Sequence, residues 1–233
     1  MLFLSKEDTE FIEDYRANRV LYPHNYFPDK FHSTCAKISC SVYSDDNDKI
    51  VENFICRRKY DRNTPFFNFF HLHVYDEVDG NRSVLAFRGT STKTEWIRNI
   101  EGEITKFLWN IDLHRAVVKT IKFIKENPGR EYYVTGHSAG GYVAQFIARE
   151  FMMSGASYCS PSISSSNFLT KDVAHMININ YQLFYNHVVD TEIVYTNFGK
   201  NYFGYIVIHP PWTTNIIELH FIDKFIEKHF SDI

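Results

Sequence analysis

Apolar residues follow two different periods along most of the chain, one typical of strands and one typical of helices. Residues 132–135 form a β-branched and aromatic run, and residues 143–151 carry apolar side chains at helical spacing. The pattern predicts further strands at 83–87, 156–159, 182–189 and 202–209, and further helices at 5–19, 113–126 and 221–230. Strands that alternate with helices predict an α/β fold with a mainly parallel central sheet and helices on both faces.

The first third of the chain gives a weaker pattern. Ser5 and Asp8 form a capping box at the start of the helix predicted at 5–19. Residues 23–48 are a mixed stretch that ends in an exposed polar loop at 44–48. Residues 66–87 alternate as in a β-hairpin, with a turn at Asp79-Gly80, and feed the strand at 83–87.

Composition narrows the function classes. The chain has 233 residues, of which 44% are hydrophobic, so a single domain over residues 1–233 is expected. A net charge of −3 gives no support for nucleic-acid binding. The four cysteines are too scattered for a disulfide framework or a CxxC metal site, which favours a reducing compartment.

Targeting and cofactor signals are also weak. The apolar run at the start of the chain is too short for a secretory signal, and no stretch approaches the length of a membrane span, so a cytoplasmic location is expected. His71 and His73 share one strand face without a third ligand nearby. We therefore predict neither a metal nor another cofactor.

One segment carries the strongest chemical signal. Gly136-His137-Ser138-Ala139-Gly140 lies between a predicted strand and a predicted helix, where the G-x-S-x-G pattern forms the turn that exposes a nucleophilic serine. Glycines two residues to either side remove side chains that would collide in so tight a turn. The pattern predicts Ser138 as nucleophile and the Ala139 backbone N–H as an oxyanion-hole donor, whereas His137 is expected to pack away from the nucleophile.

A serine nucleophile needs a histidine base and an acid, and in this type of fold they follow the serine in the order acid, then histidine. Asp190 is the favoured acid because it directly follows the predicted strand at 182–189, and sites in open α/β sheets collect at the carboxyl ends of strands. The acids that follow Ser138 are Glu150, Asp172, Asp190, Glu192, Glu218, Asp223, Glu227 and Asp232.

Roughly residues 70–225 resemble the lipase class 3 family of fungal-type triacylglycerol lipases and related phospholipases. Leu85-Ala86-Phe87-Arg88-Gly89-Thr90 is similar to the family's F-R-G-[ST] motif, and the resemblance implies that Thr90 is a second oxyanion-hole donor. The segment 134–141 resembles the family's elbow, although Ala139 stands where leucine is usual. The resemblance implies an α/β-hydrolase fold, with residues 1–65 as a family-divergent N-terminal part.

Three further segments extend the resemblance. Residues 94–100 resemble the family's lid helix. Residues 186–194 resemble its N-x-x-D-x-V acid motif with Asp190 as the acid, although extra residues stand before the final valine. Residues 218–225 resemble its D-H-x-x-Y segment, which implies that His220 is the general base, with His209 as the alternative.

The assignment of His220 carries a structural condition. If the closing helix ran through His220, its side chain would point away from the face formed by Phe221 and Phe225. His220 can serve Ser138 only if it precedes that helix. His187 lies within the predicted strand at 182–189 and is expected to be a satisfied strand histidine.

Together these features predict a serine hydrolase that cleaves fatty-acyl esters, as a triacylglycerol lipase or phospholipase, through an acyl-enzyme. The expected partner is a lipid or ester substrate, which the protein could bind at the surface of a membrane or a lipid droplet. Two alternatives stay open: a lipase-like binding or signalling module without turnover, and a thioesterase or peptidase on the same fold.

Overall fold

The computed structural model describes residues 4–21, 29–44, 49–61, 71–89, 103–163, 184–197 and 202–231. Eight strands in these ranges form one sheet in which each strand lies beside the next in chain order. The strands are β1 (Ile50–Val51), β2 (Phe54–Asp61), β3 (His71–Glu77), β4 (Arg82–Phe87), β5 (Glu131–His137), β6 (Ser154–Tyr158), β7 (Phe184–Val189) and β8 (Tyr205–His209). The neighbours from β1 to β4 are antiparallel, and those from β4 to β8 are parallel. The predicted α/β class with a mainly parallel sheet is confirmed.

Helices cover both faces of the sheet. Within the described ranges they are α1 (Lys6–Leu21), α2 (Asp29–Ser41), α3 (Glu103–Glu126), α4 (Ala139–Phe151), α5 (Ile193–Asn197) and α6 (Ile222–His229). None of them has the length and apolar character needed to cross a bilayer.

Two hydrophobic cores, one on each face, follow from the alternation of side chains along the strands. In β5, Val134 joins the core that includes residues of α1, α3 and α4. Tyr133, the residue before it, joins the core that includes residues of α2 and α6. The odd-numbered side chains of β5 therefore share a face with α2 and α6, and Thr135 is hydrogen bonded to Ser39 of α2.

Several predicted elements are confirmed. The helix predicted at 5–19 is α1, and the Asp8 backbone N–H donates to the Ser5 hydroxyl at 3.1 Å, as a capping residue requires. The hairpin turn at Asp79-Gly80 lies between β3 and β4. The helix predicted at 113–126 is longer than expected and begins at Glu103.

The mixed stretch at 23–48 is where the prediction falls furthest short, because it contains the 13-residue helix α2. Most residues of α2 with a described side chain are buried, and many residues of the helix are serine, threonine, cysteine or histidine, which are weak helix formers. Its small side chains, such as those of Cys35, Ala36 and Ser39, are fully buried and let it lie close to β5 and β6. Such a composition gives little local indication of a helix.

All four cysteines are free thiols, as expected for a chain without a disulfide framework. Across the ranges that the structure describes, no three histidine, cysteine, aspartate or glutamate side chains come together in a way that could hold a metal ion. The predicted lid at 94–100 lies outside the described residues.

A row of histidines crosses the face covered by α2 and α6. His187 Nε2 lies 2.7 Å from His32 Nδ1, and His187 Nδ1 lies 2.9 Å from His209 Nε2. The His209 ring in turn contacts the ring of His229, with 4.4 Å between centroids. His187 is thus a satisfied strand histidine, as predicted.

This row should make the fold sensitive to mild acid. Burial, followed by the neighbouring His229 and His32, lowers the pKa of His209 to about 4, and burial also lowers the pKa of His187 and His229. Unfolded histidines titrate near pH 6.5, so between about pH 6.5 and 4 the unfolded chain binds more protons than the folded one. We expect the free energy of unfolding to be constant above about pH 7.5 and to fall as the pH drops below about 6.5.

Urea unfolding at steps between pH 7.5 and 5 measures this dependence, in a range where carboxylates hardly titrate. His209→Gln, whose terminal amide can take the place of Nε2, should reduce the slope. An equally steep loss of stability in that variant would contradict the assignment to the histidine row.

Candidate active site

The turn between β5 and α4 holds Ser138 in an unusual backbone conformation. Its φ is 57° and its ψ is −130°, a backbone region that residues other than glycine rarely adopt. The Ser138 N–H donates to the carbonyl of Tyr158 in β6 at 3.0 Å, and its own carbonyl accepts the N–H of Gly141 at 2.9 Å. These bonds fix the serine at the carboxyl end of β5, at the entrance to α4.

Two glycines make the turn sterically possible, as the sequence predicts. A Cβ on Gly136 would lie 2.4 Å from the backbone of Gly140, and a Cβ on Gly140 would lie 2.1 Å from the carbonyl oxygen of Phe87 in β4. Both distances are too short for any side chain. The turn therefore packs directly against the end of β4, which carries the F-R-G-[ST] motif.

His220 meets the structural condition set by the sequence. It ends a short 3₁₀ turn (Glu218–His220), and α6 begins only at Ile222. The imidazole is buried, and its Nε2 lies 2.9 Å from the Ser138 hydroxyl oxygen. The structure thus brings His220 and Ser138 together, and the Ser138 O–H can donate to His220 Nε2.

The acid beside His220 is Glu192, which corrects the prediction of Asp190. Oε1 of Glu192 lies 2.7 Å from His220 Nδ1, and Oε2 accepts the N–H of Tyr195 in the first turn of α5 at 2.9 Å. Asp190 is exposed, and its carboxylate accepts the N–H of Thr191. The physical reason lies in the turn between the two acids, where Thr191 has a φ of 67° and the chain reverses before α5. Asp190 stays on the outside of that turn, and the fully buried Glu192 reaches inward.

A signal for Glu192 is present in the sequence. The acid motif ends in an acid, any residue and valine. Glu192-Ile193-Val194 fits that ending, whereas three residues separate Asp190 from Val194. The position directly after the strand, which favoured Asp190, was the wrong criterion because a turn separates β7 from the site.

The alternative base, His209, lies elsewhere. Its Nε2 is hydrogen bonded to His187, and its ring packs against Phe225 and His229. It belongs to the histidine row, whereas His220 is bonded to the serine.

Of the two predicted oxyanion-hole donors, the structure describes Ala139. Ala139 is the first residue of α4, and N–H groups in the first turn of a helix have no partner within the helix. Its backbone N–H is therefore available beside Ser138, at the positive end of the helix dipole. Thr90 lies outside the described residues, although Gly89 before it is described.

The order of donors and acceptors determines what this arrangement can do. An ionised carboxylate only accepts hydrogen bonds, so Glu192 holds the His220 proton on Nδ1 and leaves Nε2 free to accept from Ser138. This chain of two bonds can take the proton from the serine when its oxygen attacks a carbonyl carbon.

Comparison with solved structures places the architecture. The chain superposes on a Rhizomucor miehei lipase in a propeptide complex with a TM-score of 0.52 and 12% identity, over 71% of this chain and 61% of that one. It superposes on a triacylglycerol lipase from Penicillium expansum with a TM-score of 0.52 and 15% identity, over 79% of each chain. It superposes on a lipase from Rhizopus microsporus var. chinensis with a TM-score of 0.51 and 14% identity, over 71% of this chain and 67% of that one.

The protein has a fungal-type lipase fold. It spans only about three fifths of the Rhizomucor lipase. No protein-family model and no curated protein sequence matches the chain. The likeness to lipases is thus one of architecture.

The correction from Asp190 to Glu192 can be tested directly. The amide of Glu192→Gln can donate to His220 Nδ1 and so favour the tautomer that has its proton on Nε2, where it cannot accept from Ser138. We expect the rate of Ser138 labelling by a fluorophosphonate probe to fall by a factor on the order of 10³ to 10⁴.

Asp190→Asn serves as the matched control, since it removes the charge of an exposed carboxylate two residues away. It should leave the labelling rate unchanged. A large loss with Asp190→Asn and none with Glu192→Gln would restore Asp190 as the acid.

Proposed function

We propose that this protein is a serine hydrolase of fatty-acyl esters, with Ser138 as nucleophile, His220 as general base and Glu192 as the acid that orients it. The observation that carries the proposal is the unbroken chain of hydrogen bonds from Ser138 through His220 to Glu192, with 2.9 Å and 2.7 Å between the heavy atoms. All three side chains are buried, so their relative positions are held by packing.

In the first half-reaction, the Ser138 oxygen forms a bond to the acyl carbon while His220 Nε2 takes the serine proton. The tetrahedral oxyanion accepts hydrogen bonds from the Ala139 N–H and from Thr90, the proposed second donor; each such donor contributes about 3–4 kcal/mol to transition-state stabilisation. His220 then returns the proton to the leaving alcohol as the acyl carbon's bond to that oxygen breaks.

In the second half-reaction, water takes the place of the alcohol. His220 removes a proton from the water as its oxygen attacks the acyl-enzyme, and the Ser138 oxygen leaves and regains its proton. The products are a carboxylic acid and an alcohol. The Glu192 carboxylate stabilises the transient imidazolium of His220.

Apolar side chains beside His220 support a fatty-acyl substrate. Ile216, Ile217 and Phe221 are 45%, 46% and 39% exposed, and they flank His220 within six residues of chain. Large apolar side chains at the entrance of a site favour a substrate with a hydrocarbon part. The structure from Penicillium expansum that shares the fold is that of a triacylglycerol lipase, and the substrate we propose for this protein is a triacylglycerol or a glycerophospholipid.

The proposal is tested with the purified protein and a short p-nitrophenyl ester. We expect turnover that Ser138→Ala abolishes, together with fluorophosphonate labelling at Ser138 alone. An unmodified protein that neither hydrolyses the ester nor takes up the probe would instead be a lipase-like binding module. Faster turnover of thioesters or amides than of matched esters would point to the thioesterase or peptidase alternative.

The apolar side chains beside His220 give a further prediction. Ile216→Ser combined with Ile217→Ser should lower the hydrolysis rate on an emulsified long-chain ester by about tenfold, because two half-exposed isoleucines lose apolar contact with substrate. Hydrolysis of a short, water-soluble ester should change little.

Ile208→Ser is the matched control for that variant. Ile208 lies in β8, outside the 215–221 segment, and at 56% it is more exposed than Ile216 or Ile217 taken singly. Equal losses from the control and the double variant would show that surface apolarity in general, and not this position, determines the rate.

A further inference from the structure

The side chain of His137, directly before the nucleophile, lies on the face of the sheet covered by α2 and α6. It is buried there, with its ring centroid 4.9 Å from that of His220 and 5.8 Å from that of Tyr43. His137 Nε2 lies 2.7 Å from the backbone oxygen of His220, and Nδ1 lies 2.9 Å from the hydroxyl oxygen of Tyr43. His137 therefore bridges two segments that are far apart in sequence.

The partners of His137 fix its proton. A backbone carbonyl can only accept, so Nε2 carries the hydrogen and donates to the His220 oxygen. Burial, followed by the nearby His220, lowers the pKa of His137 to about 3, so the ring is neutral and has no second proton. Nδ1 is thus an acceptor, and the Tyr43 hydroxyl must donate to it.

The Tyr43 hydroxyl has a second partner on the other side of the nucleophile. The N–H of Gly89 donates to the Tyr43 oxygen at 3.2 Å. Burial also raises the pKa of Tyr43, which keeps the hydroxyl protonated. Three bonds therefore run in one direction, from the Gly89 N–H to Tyr43, from Tyr43 to His137, and from His137 to the carbonyl of His220.

Gly89 is tightly enclosed at the start of this chain of bonds. A Cβ on Gly89 would lie 2.6 Å from the His137 carbonyl oxygen, 2.7 Å from the Tyr43 hydroxyl and 3.0 Å from the Ser138 Cβ. Gly89 directly precedes Thr90, so the backbone that leads to the proposed oxyanion donor is held against the nucleophile at this point.

We propose that Tyr43 and His137 are positioning residues, which together hold the Gly89 backbone and the His220 backbone at fixed positions relative to Ser138. The inference rests on the proposed hydrolase function. Neither residue exchanges a proton with substrate, since the single proton of each is committed to its partner. Their effect is on how accurately the oxyanion donors and the base are placed, which affects kcat far more than KM.

Tyr43→Phe tests the proposal by removing one oxygen atom. The Gly89 N–H then loses its acceptor and His137 Nδ1 its donor, and we expect kcat on a short p-nitrophenyl ester to fall about tenfold or more while KM stays within about twofold. Urea unfolding measured alongside reports the change in stability separately.

Tyr75→Phe is a closely matched control. The Tyr75 hydroxyl is hydrogen bonded to Ser41 at the end of α2, at 2.5 Å, so this substitution also removes a buried tyrosine oxygen that anchors the same part of the chain. It should lower stability by a similar amount and leave kcat unchanged. Equal effects of Tyr43→Phe and Tyr75→Phe on kcat would overturn the proposal and reduce Tyr43 to an anchor for α2.

Two variants of His137 complete the test. His137→Gln can still donate from its terminal amide to the His220 oxygen, whereas His137→Leu loses both hydrogen bonds; the glutamine variant should therefore retain more of kcat. Tyr43→Phe added to His137→Leu should cause little further loss, since the single variant has already broken the chain of bonds. Full additivity of the losses in kcat from Tyr43→Phe and His137→Leu would contradict the positioning role. Equal activity of the two His137 variants would also contradict it.

The outcomes separate the two proposals. An unmodified protein that hydrolyses the ester, with Tyr43 and His137 variants that match the Tyr75 control, overturns the positioning role alone. An unmodified protein without any reaction at Ser138 overturns the hydrolase function and the positioning role together.

Discussion

A neutral histidine carries one ring proton, and in this protein Glu192 decides which nitrogen of His220 carries it. The carboxylate is fully buried and is held from its other side by an N–H at the start of α5, so it has one orientation. That orientation places the His220 proton on Nδ1 and directs Nε2 to Ser138. This one bond fixes the direction of the imidazole. The backbone conformation of Ser138 and the turns before α6 and after β7 bring the three side chains together, but they do not fix that direction.

A second histidine with a fixed proton, His137, packs against His220. His137 has its proton on Nε2 and His220 has its proton on Nδ1, and each assignment follows from an acceptor that cannot donate. The two imidazoles lie side by side in opposite tautomeric forms. Because His137 also donates to the backbone oxygen of His220, the positions of the two imidazoles are linked.

The sequence was most informative where structure is determined locally. The strand, the elbow and the helix around Ser138 follow from neighbouring residues, and the place of His220 before α6 could be stated as a condition of helix geometry. Helix α2 was not predicted, because many of its residues are serine, threonine, cysteine or histidine, which have low helix propensity. The choice of Glu192 over Asp190 depended on the backbone turn at Thr191, and Tyr43 reaches the site only through the packing of α2 on β5 and β6. These features are set by contacts between distant segments.

The order of the sheet has a consequence for how the molecule forms. Each strand from β1 to β8 pairs with the strand that precedes it in the chain, so no strand has to be inserted between two that are already joined. The sheet can therefore grow from one edge in the direction of synthesis. The backbone bond from Ser138 to Tyr158 can form once β6 is in place, whereas Glu192 follows β7 and His220 follows β8. In the proposed hydrolase, the turn around Ser138 thus forms before Glu192 and His220 are in place, and the chain of hydrogen bonds is complete only at the end of folding.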